Sequence, residues 1–391
     1  MNCCIERNRP RLKELIRAIL KHIGGFNPWL ERLIGVTFLA RRKRQFTKSC
    51  LQASRLIWKQ ISTFEIINQR QLLLPMDSIQ LITRPISDEL WFTNPTILDK
   101  KGAVHLFARA TNRVYSPESD KYGAMKREER GSSLLNGVLT GLLDNRGDLS
   151  GKEFVIPVTT PPCFEDPRVI TYKDSYILVG TVIEKESDLV NREWKLVTGI
   201  YLAAQDRLLK IPSPKGRPLE KNWVPISVDG DSLLLQYMNN PLSIIEIDLI
   251  SGESNLKIID EDVKVTSLNG GTQWVDTGQG TYLRVARKRF PMQKLGYIHL
   301  SYLVLHGQNF KEIKRSRPFI FRKIGFEICN GLLLDEDGVL HFSWGEDDKK
   351  MFYGKKSLST TLDWLDENSS HLDSKISHFN KGVFDEIFYS C

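Results

Sequence analysis

Cysteine is scarce in this chain. There are six in 391 residues (Cys3, Cys4, Cys50, Cys163, Cys329 and Cys391), and none forms a CxxC pair. That argues against a disulfide framework and against a structural zinc site. No run of 18 or more apolar residues occurs, so no membrane span is expected. The first twenty residues, MNCCIERNRPRLKELIRAIL, interrupt their apolar positions with charge and lack signal-peptide order. A reducing, cytoplasmic location follows as the expectation. The short motifs of many enzymes are missing too: no GxSxG elbow, no HExxH, no P-loop and no GxGxxG. The seven histidines show no metal-ligand spacing, so neither a metal nor a cofactor is expected.

Acidic residues are nearly absent from one region. Residues 1–60 hold 14 Lys/Arg against Glu6, Glu14 and Glu31, a charge of +11; the whole chain carries +8, so the rest is −3. A globally basic nucleic-acid binder is thereby excluded, and no nucleic-acid partner is expected. Within the basic stretch, Leu12, Leu15, Ile16, Ile19, Leu20 and Ile23 recur at helical spacing until Gly24-Gly25, and Arg41-Arg42-Lys43-Arg44 follows. Residues 1–75 read as a basic amphipathic helical extension. Two roles stay open for it. One is a helical collar docked on the body; the other is a peripheral contact of residues 1–60 with an anionic membrane at its inner face.

From residue 76 to 391 the texture changes to short β-rich runs punctuated by Gly, Asp, Asn and Pro. One unit recurs five times: a polar opening, an apolar strand, a turn and a second apolar strand. Its instances are 94–109, 165–181, 221–237, 270–286 and 327–344, with second strands beginning near Val104, Tyr176, Ser232, Thr281 and Val339. Intervals of 72, 56, 49 and 58 residues each hold a hairpin plus two more strands. The fold expected is all-β, a five-bladed β-propeller behind an N-terminal helical extension. Lys101-Gly102, Asp229-Gly230 and Asp337-Gly338 supply the left-handed positions that tight hairpins need.

In a propeller the innermost strands line a central channel. The residues opening the five units, Asn94, Asp166, Asn222, Thr272 and Glu327, are then expected near one channel mouth. The alternative is that they are turn residues only. Glu165 is expected to face away from Asp166, because neighbouring strand residues point to opposite faces.

These residues carry a resemblance. Asn94 with Arg109, Glu165-Asp166-Pro167-Arg168, Lys221-Asn222-Trp223, Gly270-Gly271-Thr272-Gln273 and Glu327 followed by Ser343–Asp348 form an ordered set over residues 85–355. The set is similar to glycoside hydrolase family 130, the β-mannoside phosphorylases and hydrolases, and to related five-bladed β-mannosyltransferases. The resemblance implies Asp166 as catalytic acid, and Asn94, Arg109 and Asp348 as residues that hold the sugar. It implies Arg168 and Lys221 near an anion, and Asn222, in the same motif as Lys221, is a further substrate-binding candidate. Relatives carry His where this chain has Arg287; with Arg284, Lys288 and Arg289 this makes a run of four cations, suited to a larger anion or merely solvated.

The chemistry implied is transfer, or cleavage with inversion, of a β-linked hexosyl unit, mannosyl by resemblance, in glycan assembly or turnover. The partners are then an oligosaccharide or glycan, with phosphate or a sugar-phosphate donor. Hydrolysis needs a second carboxylate as base, for which Glu327 is the candidate. Transfer from an activated donor needs cations for the leaving phosphate and can use Asp166 as base. Two other classes stay open: a non-catalytic glycan-binding propeller and a membrane-recruited scaffold.

Overall fold

The computed structural model describes residues 72–83, 90–112, 135–159, 163–184, 195–239, 242–260, 268–278, 280–292 and 296–369. The basic stretch 1–60 and the strand-like 384–389 lie outside the described residues.

Twenty strands form five four-stranded antiparallel sheets. Blade one is β2 (Trp91–Lys100), β3 (Ala103–Thr111), β4 (Asn136–Leu143) and β5 (Leu149–Thr159). Blade two is β6 (Glu165–Tyr172), β7 (Ser175–Ile183), β8 (Leu196–Leu202) and β9 (Arg207–Ile211). Blade three is β10 (Val224–Asp229), β11 (Ser232–Asn239), β12 (Leu242–Asp248) and β13 (Ser254–Asp260). Blade four is β14 (Val275–Asp276), β15 (Thr281–Met292), β16 (Gly296–Gly307) and β17 (Glu312–Arg315). Blade five is β18 (Glu327–Leu334), β19 (Val339–Glu346) and β20 (Lys350–Ser357), completed by β1 (Ser78–Ile82). The expected second strands begin within one residue of β3, β7, β11, β15 and β19. The five-bladed propeller is therefore the fold.

The ring closes by pairing β1 with β20, from Ser78 opposite Lys355 to Ile82 opposite Met351. An early strand thus forms the outer edge of the last blade, and the chain's two ends of the ring are tied by hydrogen bonds. The helix that follows, α1 (Leu358–Glu367), buries Trp364 and Leu365 against blades four and five. Ser357 caps it, accepting from the Thr360 N–H.

Five apolar clusters fill the five seams between blades. Leu98, Phe107, Phe164 and Leu178 join blades one and two; Ile177, Ile200, Trp223 and Leu235 join two and three. Val224, Ile226 and Trp274 join three and four. Leu283, Phe319, Phe342 and Trp344 join four and five; Ile82, Phe92, Leu106 and Tyr353 join five and one. Covered on both faces, the middle strands read as continuous apolar runs: β7 is buried from Ile177 to Ile183. Each such side chain contributes about 1.5–3 kcal/mol of burial before entropy is charged.

The hairpin between β2 and β3 turns through Lys101 and Gly102, at φ 59 and 79. Such a pair of left-handed residues matches the twist of the strands it joins. Gly230 and Gly338 take left-handed positions in their hairpins as well.

Candidate active site

The innermost strands share an irregularity. Against its neighbour, each of β2, β6 and β18 carries one extra residue, at Asn94-Pro95, Asp166-Pro167 and Asn330. In the first two bulges the next residue is proline, which has no N–H to leave unpaired. Asn94 and Asp166 both sit at φ 50, in the left-handed region, as do Asn222 at φ 67 and Asp348 at φ 51. For residues bearing a side chain this costs about 1–2 kcal/mol each. Non-glycine strain of this kind gathers where side chains must be aimed.

The bulge at Asp166 overturns one expectation. Strict alternation would send Glu165 and Asp166 to opposite faces, yet both meet the guanidinium of Arg109. Arg109 Nη1 lies 3.3 Å from Asp166 Oδ1, and Nη2 lies 3.4 Å from Glu165 Oε1. Arg109 Nε donates to Asn136 Oδ1 at 2.9 Å, and Asn136 Nδ2 donates to Glu165 Oε1 at 3.2 Å. Lys221 Nζ, on a side chain 45% exposed, pairs with Glu165 Oε2 at 2.8 Å. Glu165 and Asn136 therefore belong to the cluster and were missed by the sequence reading. Only the register shift, invisible in the sequence, brings Glu165 round.

Asp166 receives Asn94 Nδ2 at 2.8 Å as well as Arg109, and both donors fall on Oδ1. No described hydrogen bond takes Oδ2, and the side chain keeps 21% exposure. Burial alone would raise this carboxyl. The charges of Arg109 and Arg287 and the Asn94 amide overcome it and hold Asp166 well below the usual carboxylate range. Asp166 is thus ionised at neutral pH, with one oxygen uncommitted. Burial likewise works against Glu165, but Arg109 and Lys221 keep it low.

Asp348, from the turn after β19, joins the same corner, its Oδ1 lying 3.4 Å from Thr93 Oγ1. Its carboxyl moves the other way, up to about 6. Burial is the largest cause; Arg109 opposes it and the charge of Asp166 adds to it.

Beside this acidic corner lies a buried basic axis. Arg168 is 1% exposed. Its Nε donates to Gly271 O at 2.7 Å, Nη1 to Asp166 O at 3.2 Å, and Nη2 reaches Asn222 Oδ1 and Asn330 Oδ1, both at 3.5 Å. One side chain of blade two thus ties blades three, four and five. Arg287 Nη2 donates to the same Asn222 oxygen at 2.7 Å, while its Nη1 is buried with no hydrogen-bond partner. Burial, then repulsion by Arg287, lowers Arg168 to about 9, which leaves it charged at neutral pH. His299 is buried nearby with neither ring nitrogen hydrogen-bonded; burial, then Arg287 and Arg289, push it down to about 3, so it is neutral. Asn330 and His299 are further residues the sequence reading missed.

Three expected site residues lie elsewhere. Glu327 is 1% exposed, and its carboxylate accepts three backbone N–H groups: Phe321 at 2.9 Å, Arg322 at 3.0 Å and Lys323 at 3.0 Å. Such a carboxylate holds the 321–323 loop and has no oxygen free to activate water. Asn330 takes the fifth blade's place at the axis. Arg284 points into blade four, with Nε on His306 Nε2 at 3.1 Å and its guanidinium over Trp274. It stands three positions from Arg287 on one strand, which puts the two on opposite faces. Thr272 is buried among backbone groups, bonded to Gln273 O and the Val285 N–H. Of the remaining cations in that run, Arg289 is exposed and Lys288 half-buried. The structure does bring together Asn94, Arg109, Asp166, Arg168, Lys221, Asn222, Arg287 and Asp348.

Among the described residues no group of three or more His, Cys, Asp or Glu is placed to hold a metal ion. No helix among them is long and apolar enough to cross a membrane.

The fold has known counterparts. A glycosyl hydrolase from Bacteroides ovatus aligns over 73% of this chain and 96% of its own, with TM-score 0.50 and 12% identity. A second propeller aligns over 74% of this chain and 97% of its own, with TM-score 0.51 and 12% identity. It is described as belonging to family 130 of mannoside phosphorylases, which contains glycoside hydrolases that target β-1,2 mannosidic linkages in Candida mannan. At these identities the likeness is one of fold, and it agrees with the resemblance carried by the motifs. No protein-family model matches the chain, and no curated protein matches it in sequence.

Proposed function

We propose that the chain is a carbohydrate-active propeller enzyme that transfers a β-linked hexosyl unit, mannosyl by analogy with the family-130 propeller, from an anionic donor to a hydroxyl acceptor. The observation that carries this is the state of Asp166: ionised, with Oδ2 uncommitted, beside buried guanidinium groups that lack anionic partners of their own. A carboxylate held so low stores no proton to give, which argues against its acting as a plain acid. It suits a base. Asp166 Oδ2 takes the proton of the attacking hydroxyl as the new C1–O bond forms. The C1–O bond to the leaving phosphate breaks, and the electron pair departs with the phosphate. Lys221, the exposed cation of the cluster, and the buried, unpartnered Nη1 of Arg287 support the stabilisation of that charge. Run in reverse, the same groups would support phosphorolysis. Plain hydrolysis is the least supported, because Glu327 is spent on backbone donors.

The test is direct. Purified protein is incubated with GDP-mannose or mannose 1-phosphate plus a mannoside acceptor, and with β-mannosides with and without phosphate. Transfer that needs the phosphorylated donor is expected, with Asp166→Asn lowering it about 10²–10⁴-fold. Turnover unchanged by Asp166→Asn would sink the assignment. Saturable glycan binding with no turnover on any donor would establish the non-catalytic reading in its place.

A further inference from the structure

Two residues of the site, Lys221 and Asn222, come from the connection between β9 and β10 and not from a strand. Lys221 reaches Glu165 at 2.8 Å. Asn222 takes φ 67 and sets its Oδ1 between Arg287 at 2.7 Å and Arg168 at 3.5 Å. A side-chain-bearing residue in the left-handed region needs its surroundings to hold it there. The residues on either side of the pair supply that hold.

Glu220 precedes the pair and Trp223 follows it, and both are buried, at 4% and 2% exposure. Trp223 Nε1 donates to Glu220 Oε2 at 3.1 Å. An indole N–H only donates, so the direction of this bond is fixed. It ties position i to position i+3 and closes a short brace around Lys221 and Asn222. Each end of the brace is anchored. The Glu220 N–H donates to Leu196 O, on β8, at 2.9 Å. Trp223 stands edge-on to Tyr237 of β11, ring centroids 5.2 Å apart, in the seam between blades two and three.

The other carboxylate oxygen is filled from the far side. Tyr237 Oη donates to Glu220 Oε1 at 2.9 Å, and Ser213 Oγ donates to the same oxygen. Ser213 Oγ already accepts the Lys215 and Arg217 N–H groups, at 3.2 and 2.9 Å. Both its lone pairs are used, so its proton is the one turned to Glu220. Three donors thus converge on one buried side chain. A glutamine of the same size has a single oxygen, and its amide would set an N–H against one of them.

We infer that Glu220 is a positioning residue of this site: through its bond to Trp223 it presents Lys221 to the anion of the donor and holds Asn222 between the two guanidinium groups. That Lys221 meets a donor phosphate rests on the transfer reading above; the brace itself does not.

The test compares two bonds of the same carboxylate. Trp223→Phe removes the brace, and Tyr237→Phe removes a bond on its far side. Both are read by denaturant melts and by NMR titration of ¹³C-labelled glutamate carboxyls, with Glu165 assigned by its loss in Glu165→Gln. Burial would raise Glu165, but Arg109 and Lys221 hold it below its ordinary 4.5. Trp223→Phe is expected to raise the Glu165 midpoint by about half a pH unit or more as Lys221 withdraws, whereas Tyr237→Phe leaves it in place although it too lowers stability. Glu220→Gln reaches the same bond from its other end, which keeps the question open to test if Trp223→Phe does not fold. It should give the same rise, and the double variant no further one. With mannose 1-phosphate as donor, kcat/KM is expected to fall about tenfold in Trp223→Phe. A Glu165 midpoint unmoved by both Trp223→Phe and Glu220→Gln overturns the proposal. So does an equal rise in Tyr237→Phe, because any loosening of the blade would then suffice. Absence of transfer by wild type with GDP-mannose or mannose 1-phosphate would overturn the functional reading and leave the Glu165 result standing.

Discussion

Asp166 and Glu327 stand at the start of the inner strands of blades two and five, Asp166 half-buried and Glu327 fully buried. Their surroundings differ in kind. Asp166 is met by side chains from other strands, Asn94 and Arg109, with one oxygen left over. Glu327 is met by three consecutive backbone N–H groups of the adjoining loop. Burial pushes both upward. Around Asp166 the cations win and the group stays charged. Around Glu327 they are absent, the repulsion of Glu346 adds to burial, and the carboxyl rises to about 7 despite its backbone donors. A carboxylate held by its own loop's backbone anchors that loop. One held by side chains of another blade, with an oxygen to spare, can act on something else.

The largest expected effect separates the two by function. Asp166→Asn is expected to abolish most turnover, as argued above, while leaving the loop held by Glu327 intact. Glu327→Ala should do the reverse. It leaves three backbone N–H groups without acceptors, one buried and two half-buried, at roughly 1 kcal/mol each, so a loss of about 2–3 kcal/mol is expected. Denaturant melts would read that loss, with turnover per folded molecule within a few-fold of wild type. A Glu327→Ala variant that melts like wild type but has lost its chemistry would return Glu327 to the site.

The next effect separates them by pH, with opposite signs. Asp166 lies below its ordinary 3.8 in the folded chain. Its contribution is whole above that pH and is lost as pH falls below it. Glu327 lies near 7, above its ordinary 4.5. Its contribution is whole below 4.5 and is lost as pH rises through 7. The amplitude is about 3 kcal/mol for a shift of that size. Glu327→Gln should therefore flatten the loss of stability between pH 4.5 and 7 relative to wild type. Asp348 titrates in part of the same window, so the difference between the two proteins is the informative quantity. Equal slopes in melts taken at half-unit steps would show that Glu327 is not the titrating group.

The contrast also explains how much was legible in the sequence. The blades were, because hairpin turns and apolar runs are local signals: Lys101-Gly102 and the run after Tyr176 needed no partner to be read. Asn94, Arg109, Asp166 and Asp348 were found through their motifs. What failed was orientation. Glu165 was assigned to the wrong face because one extra residue at Asp166 breaks the two-residue period, and pairing register is set by the neighbouring strand. Spacing points to Glu327 as the fifth blade's polar residue, whereas Asn330, at the bulge, holds that position. Arg284 and Arg287 read as one cluster although strand geometry sends them apart. The misplacements share a cause: composition shows which groups exist, and register decides where they point.

The smallest effect tests the link between acidic corner and basic axis. Where blade two places Asp166, blade four places Gly270, at φ 47. A Cβ there would lie 2.8 Å from Asn222 Cβ, 3.0 Å from its Oδ1 and 3.1 Å from Arg168 Nη2. The glycine thus lets Asn222 stand between Arg168 and Arg287 and keep two cations apart. Gly270→Ala adds left-handed strain of about 1 kcal/mol and must also move Asn222, so a loss of about 1–2 kcal/mol is expected. Turnover should fall a few-fold through the displaced Arg287, whose charge helps to hold Asp166 low. The midpoint of Asp166, followed by NMR titration of ¹³C-labelled aspartate carboxyls, should rise. If stability falls while the Asp166 midpoint stays fixed, the axis merely supports the fold and Arg109 with Asn94 alone sets the charge of the corner.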